Sequence, residues 1–363
     1  MGSLEKLLYF SAQTPSDKIP IAGQKIAYNH LLELSENYDV FLVFFCDKRE
    51  LQYISETDYS FCKSVKYIYL SGFKKNLRRL LFFYKPVKFN SRIDNKLKKE
   101  LIEMIRAEKI RMCHFEFTSI INYIDAIGYL IEYAQTVEHD VTFQSFQRKF
   151  KNSKNILLKS FLFFEYTRIK KNELKWLKKF NKIYVLNLKD KKILKKHHVN
   201  NCEIKYPKID NSLKNLKREV VPFSIGFVGA MHREENEDAV IKFINDVLPK
   251  LREEFHLIKF YVVGSNPSKK ITSISNFNKN VIVTGFVEDL KDYYKFLDIS
   301  VVPLLAGAGI KIKTLESLKA GIPTFATDVG YEGIDESTEN LHRVKDFEDM
   351  YLKIKDFFNK NYS

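Results

Sequence analysis

Short apolar runs alternate with stretches of helical periodicity along most of this chain. In the first half the runs lie at residues 39–46, 65–70, 110–117, 134–138 and 182–187, and in the second at 222–229, 258–264, 281–285, 299–304 and 323–328. Most are rich in β-branched and aromatic residues, and several close on Gly or Pro, which predicts the buried strands of parallel sheets. Between them the spacing changes. Residues 24–38, QKIAYNHLLELSENY, place Ile26, Leu31, Leu32 and Leu34 near one face and predict a helix; 237–252 and 346–360 predict two more. This alternation predicts an α/β protein of two doubly wound domains. The polar, proline-flanked stretch 206–222 has no periodicity and is the expected linker, which gives domains at 1–206 and 207–345. The terminal helix, 346–363, is expected to pack back on the first domain. Ligands of such folds bind beyond the carboxyl ends of the strands, so the expected site is a cleft in which the two domains face each other.

At 363 residues and 45% hydrophobic composition the chain can build two cores. Its longest apolar run, VFLVFFC at 40–46, is far short of the roughly 18 residues that a membrane span needs. The N-terminal stretch MGSLEKLLYFSAQTPSDK has neither the basic start nor the apolar core and cleavage site of a signal peptide. Cys46, Cys62, Cys113 and Cys202 are scattered, with no metal spacing and no disulfide framework, so a reducing cytoplasm is expected. There is no D-x-D sequence, and no metal or cofactor is expected.

Charge divides the chain. The net charge is +15, and residues 66–99 (net +10) and 148–196 (net +14) hold more than all of it. An anionic partner is expected there: a membrane surface, a phosphorylated acceptor or nucleic acid. A lysine-rich composition with no partner would give the same charge. Within 67–89, YIYLSGFKKNLRRLLFFYKPVKF, leucines and aromatics interleave with cations. That suits an amphipathic segment lying on anionic lipid better than a base-stacking platform for nucleic acid.

Residues 307–330, GAGIKIKTLESLKAGIPTFATDVG, read as a glycine-rich turn, a helix, a break and a strand. Lys311 and Lys313 sit where the helix begins, the end that carries partial positive charge, so each should cost about 0.3–1 kcal/mol. Unless they reach water or pair with Glu316, they imply an anion at that end.

The segments GFVGAMHREENEDAVIKFINDVLPKLR, YVVGSNP and VTGFVEDLKDYYKFLDISVVPLLAGAGIKIKTLESLKAGIPTFATDVGYEGI together resemble the donor domain of group 1 glycosyltransferases, family 4-like enzymes of the GT-B fold. The likeness covers about 223–335 and is much weaker over 1–222. It implies two Rossmann-like domains and transfer of a sugar, with retention, from a nucleotide-diphosphate sugar to a glycan or lipid-linked acceptor. The setting implied is cell-surface polysaccharide or glycoconjugate synthesis, in the cytoplasm or at the inner face of the membrane. An epimerase or phosphorylase of the same fold, or a non-catalytic basic nucleic-acid or membrane binder, are the alternatives.

On this resemblance the diphosphate would lie on Gly229, Arg233, Gly307, Gly309, Ile310, Lys311 and Lys313. Backbone N–H groups at a helix head and fixed cations suit such an anion. Arg233 replaces the family's usual lysine, with His232 as its rival and its glutamate neighbours as competing partners; Asn236 is expected to cap the following helix. Glu316 borders the buried stripe of its helix and would accept the ribose hydroxyls. Gly285 and Phe286 would meet the base. The family's E-x7-E pair is incomplete, with Ala308 at its upstream position, which leaves the sugar open. In the first half Gly23 and Gln24 would form an acceptor-side loop, shorter by one glycine than is usual. His139 would contact the donor sugar, with His114 and Glu116 as rivals and Asp140 placed to orient its ring.

Overall fold

The computed structural model describes residues 4–19, 21–307 and 309–362. The chain forms two compact units that divide between Pro207 and Lys208.

The first unit is a seven-stranded parallel sheet. Its strands are β1 (Glu5–Ser11), β2 (Tyr38–Cys46), β3 (Ser64–Tyr69), β4 (Met112–Glu116), β5 (Tyr133–Glu138), β6 (Lys182–Val185) and β7 (Cys202–Ile204), in the order β3-β2-β1-β4-β5-β6-β7. β1 and β2 are continuous apolar runs because both faces are covered. Leu7, Tyr9, Val40, Leu42 and Phe44 pack on one side with Leu31 of the Ala22–Ser35 helix, while Leu8, Phe10, Phe41, Val43 and Phe45 join the larger core on the other. The order reverses between β1 and β4, which opens a crevice at their carboxyl ends.

The second unit repeats the plan with six parallel strands: β8 (Ser224–Val228), β9 (Lys259–Val263), β10 (Val281–Gly285), β11 (Ile299–Val302), β12 (Thr324–Thr327) and β13 (Leu341–Val344). Their order is β10-β9-β8-β11-β12-β13, so the reversal falls between β8 and β11.

Three expectations change. The final helix, Phe347–Tyr362, belongs to the second unit: Phe347, Met350, Ile354 and Phe358 lie in that unit's core. The stretch read as a linker docks along the second unit, where Glu219 N donates to Lys295 O (2.7 Å), Val221 N to Phe296 O (2.8 Å), and Leu213 is buried. The helix expected at 237–252 is two helices, Glu234–Asp246 and Leu248–Glu254, because Pro249 cannot continue the first and suits the opening turn of the second.

Candidate functional site

In the second unit β8, β9 and β10 each run into a glycine or end on one. Gly229 N donates to Val263 O (2.9 Å) and Gly264 N to Gly285 O (3.1 Å), so Gly229, Gly264 and Gly285 line up across the sheet's carboxyl edge. Gly264 has φ of +148°, and a Cβ there would lie 1.9 Å from the Gly229 carbonyl oxygen. Only glycine fits that approach. A Cβ on Gly229 would lie 2.7 Å from the Lys313 ammonium. The bare backbone at the end of β8 is therefore what lets Lys313 come so close.

Lys313 belongs to the Ile312–Lys319 helix, which follows β11 across the switch point. The turn leading to it contains Gly307 at φ +118° and Gly309 at φ +72°. Lys311 stands at the N-cap position; its Nζ donates to Gly309 O (2.6 Å) and lies 3.7 Å from Glu332 Oε2. Lys313 Nζ donates to Asn236 Oδ1 (2.7 Å) and sits 4.3 Å from the centre of the Phe227 ring. Burial, then the charges of Arg233 and Lys311, bring the Lys313 pKa down to about 7, against a smaller pull from Glu235 and Glu316. Asn236 does not cap its helix: it lies within the first turn and its Nδ2 donates to Ala230 O (2.8 Å). Arg233 takes the N-cap position, exposed, with Nε 3.5 Å from Glu235.

Gly229, Arg233, Gly307, Gly309, Lys311 and Lys313 thus gather around one helix head, with Ile310 in the turn between. Glu316 lies one turn along, where Tyr294 Oη donates to its Oε2 (3.2 Å). Gly285 is part of the glycine row, while Phe286 is 60% exposed. Ala308 falls outside the described residues. Gly264 and Asn236 are the members of this edge that sequence reasoning passed over or assigned elsewhere.

The first unit builds a second polar cluster at its own switch point. Glu116, the last residue of β4, is fully buried. Its carboxylate is bonded to His139 Nε2 (2.5 Å), His114 Nε2 (2.7 Å), His30 Nδ1 (3.2 Å) and the Tyr9 hydroxyl (3.0 Å). Burial alone would raise its pKa; the charge of His30 and the bonds from the three imidazoles outweigh that and hold it well below the usual carboxylate range. His114 is buried, which lowers its pKa, so neither His114 nor Glu116 is open to a ligand. His139 is the member with an outward side. Its ring stacks on Phe117 (4.1 Å between centres), and a Cβ on Gly23 would lie 3.6 Å from Nδ1. Phe117 has φ of +76°, a strained setting for a bulky residue, and marks this corner. Gln24 turns inward, where its amide donates to the Glu50 carboxylate.

Behind His139 lies another carboxyl pair. Glu138 accepts from Thr118 Oγ1 (2.9 Å) and faces Glu173, which accepts from the backbone N–H groups of Thr142 (2.8 Å) and Phe143 (3.0 Å). Burial raises both pKa values, Glu173 to about 8. A carboxyl whose folded pKa is raised lends stability that is complete below its ordinary pKa and is lost as pH rises through the folded value. Melting temperature is therefore expected to fall as pH rises through about 8. Glu138→Gln keeps a donor toward Glu173 and should flatten that fall; thermal melts of both proteins across the range check it.

Residues 222–360 match the family model described as glycosyl transferases group 1. A segment of 114 residues is 32% identical to an uncharacterised 44.6 kDa protein in the cps region of Klebsiella pneumoniae, covering 30% of this chain and 29% of that relative. Among solved structures, sucrose-phosphate synthase from Thermosynechococcus elongatus superposes with a TM-score of 0.67 at 14% identity, over 98% of this chain and 90% of the other. Anabaena HepE in complex with UDP does so at 0.63 and 9% identity, over 98% and 91%. At such identities the likeness establishes the fold, which is GT-B: two Rossmann-like domains.

Proposed function

We propose that this chain is a glycosyltransferase that moves a sugar, with retention, from a nucleotide-diphosphate sugar to a glycan or lipid-linked acceptor. The observation that carries the reading is Lys313. Its ammonium is held against bare backbone at a helix head, where burial, then the neighbouring cations Arg233 and Lys311, pulls its pKa down. A diphosphate supplies what that place lacks, and the first N–H groups of the helix favour it further. Anabaena HepE has been solved with UDP and with UDP-glucose, which supports the same class of donor. Gly229, Arg233, Gly307, Gly309, Ile310, Lys311 and Lys313 would hold the diphosphate, Glu316 the ribose, and Gly285 and Phe286 the base.

In the transfer the bond from the anomeric carbon to the diphosphate oxygen breaks and a bond to the acceptor oxygen forms. The acceptor's proton passes to the departing diphosphate. Lys313 and the helix head stabilise the charge that develops on that leaving group. His139 would hold a hydroxyl of the sugar, with Gly23 beside it on the acceptor side. The reaction needs no cofactor beyond its donor. The relative in a cps region points to cell-surface polysaccharide as the setting. A second partner is an anionic membrane surface met by the basic stretches 66–99 and 148–196, with the chain working peripherally at its cytoplasmic face. Among the described residues no helix is long and apolar enough to cross a membrane.

Melting temperature measured against a panel of nucleotides tests the donor site. One nucleoside diphosphate should stabilise the protein, by roughly 2.7 kcal/mol at a hundredfold excess over its Kd. A flat response to every nucleotide and nucleotide-sugar would overturn the reading.

A further inference from the structure

The Ile156–Leu177 helix joins the first core mainly through its second half, while Leu162 and Glu165 are the buried residues of its first half. Ile169, Trp176 and Leu177 are core residues, whereas Ile156, Leu157, Leu158, Phe161, Phe163 and Phe164 are 50–80% exposed. Seven of the nine residues 156–164 are Ile, Leu or Phe. A helix apolar around its circumference is ordinarily buried. The Thr142–Asn152 helix lies against this half, with its Phe150 5.3 Å from Phe163.

A second segment adjoins it. No residue of the Gly72–Leu81 helix is buried, and Phe73, Leu80 and the following Phe83 are each more than 70% exposed. Arg168 donates to Phe83 O (3.0 Å), and Val87 N donates to Glu165 Oε2 (2.8 Å), so the two segments share one surface. Stretches 71–85 and 147–164 carry ten Lys/Arg and no Asp/Glu. Of these, Lys75 lies 3.6 Å from Asp47 and Arg78 pairs with Asp94, and elsewhere in the basic stretches Lys66 and Lys96 pair with Glu100.

We infer that 73–84 and 149–164 form a single docking face whose apolar side chains enter the headgroup layer of an anionic membrane while the surrounding lysines meet lipid phosphates. Large exposed apolar patches mark interaction sites, and an amphipathic face rimmed by cations fits lipid. A second copy of this chain would set one cationic face against another. Nucleic acid would find Ile156, Leu157, Leu158 and Leu80 useless for stacking. The inference sharpens the membrane partner proposed above and is independent of the donor site.

The test is sedimentation of the full chain with vesicles of phosphatidylcholine alone or with about a third phosphatidylglycerol. The parent should bind the anionic vesicles at least about tenfold better. Leu157→Glu with Phe161→Glu should lose about tenfold at low and at high salt. Lys151→Glu with Lys154→Glu should lose mainly the preference for phosphatidylglycerol. These positions are exposed, so melting temperature and nucleotide response should stay as in the parent. Parent binding no better than to neutral vesicles, or undiminished binding by the Leu157/Phe161 variant, would overturn the proposal. So would self-association, or RNA binding in place of lipid binding, that the same variant abolishes.

Discussion

Lys313→Met should weaken binding of the preferred nucleoside diphosphate by about 100-fold, in line with the loss of a charge-assisted contact to phosphate in an enclosed site. Methionine keeps the length of the stem and its packing on Phe227, so the loss reports the charge. The same substitution should make the ligand-free protein more stable, because burial holds the lysine pKa down at about 7. The sign follows from proton counting. Between that value and the ordinary lysine pKa the unfolded chain binds a proton that the folded chain does not, so the lysine's penalty shrinks as pH rises. Ligand binding should reverse the depression, since a polyanion favours the ammonium form. Diphosphate affinity should then decline above about pH 7 with uptake of a proton, and calorimetry in buffers of different ionisation heat reads that proton directly. Equal affinity in parent and variant, or no proton uptake above neutrality, would refute Lys313 as the anchor of the diphosphate.

The second unit was legible because its central strands, β8, β11 and β12, are buried throughout and its other runs are apolar enough to stand out. An apolar run closed by glycine or proline has little else to be, and 281–285 is the strand Val281–Gly285 to the residue. β13 was missed because an edge strand of four residues, Leu341–Val344, shows no such run: His342 and Arg343 interrupt it. β7, Cys202–Ile204, is shorter still and is defined by its pairing with β6. The proposal of an anion at the helix-head lysines came from a local electrostatic mismatch, which needs no tertiary information. What sequence could not show is which partners close around them. Asn236 reads as a helix cap until Lys313, 77 positions away, takes its oxygen. The cluster around Glu116 is equally non-local: Tyr9, His30, His114 and His139 come from four elements that only the switch point of the sheet assembles. The terminal helix misled for a related reason. Its apolar stripe says that it packs, and the strand and helix faces waiting for it in the second unit are visible only in the fold.

Glu116→Gln should cost roughly 2–4 kcal/mol of stability and slow transfer at least about 100-fold. Four groups compete for two carboxylate oxygens, and glutamine offers one oxygen and an amide that itself donates. At least one of the imidazoles or the Tyr9 hydroxyl then faces a donor beside a fully buried side chain, which is the costly outcome. Glu116 is a positioning residue: His139 gives its Nε2 to the carboxylate and turns Nδ1 toward Gly23. Without the carboxylate neither the tautomer nor the ring orientation of His139 is fixed. The acid behaviour separates the two forms further. Because the Glu116 pKa is held low, its stabilisation is complete above the ordinary carboxylate range and is lost as pH falls through the lower folded value. The glutamine variant should lack that acid limb and be weaker at every pH. His139→Asn provides the contrast, since it removes the outward group while leaving three partners on the carboxylate; it should lose rate with much less stability. Nitrogen chemical shifts of the His139 ring give the decisive comparison. If Glu116→Gln lowers the melting temperature but leaves the His139 tautomer and the transfer rate of the folded protein unchanged, the carboxylate holds the sheet together and does nothing for the imidazole.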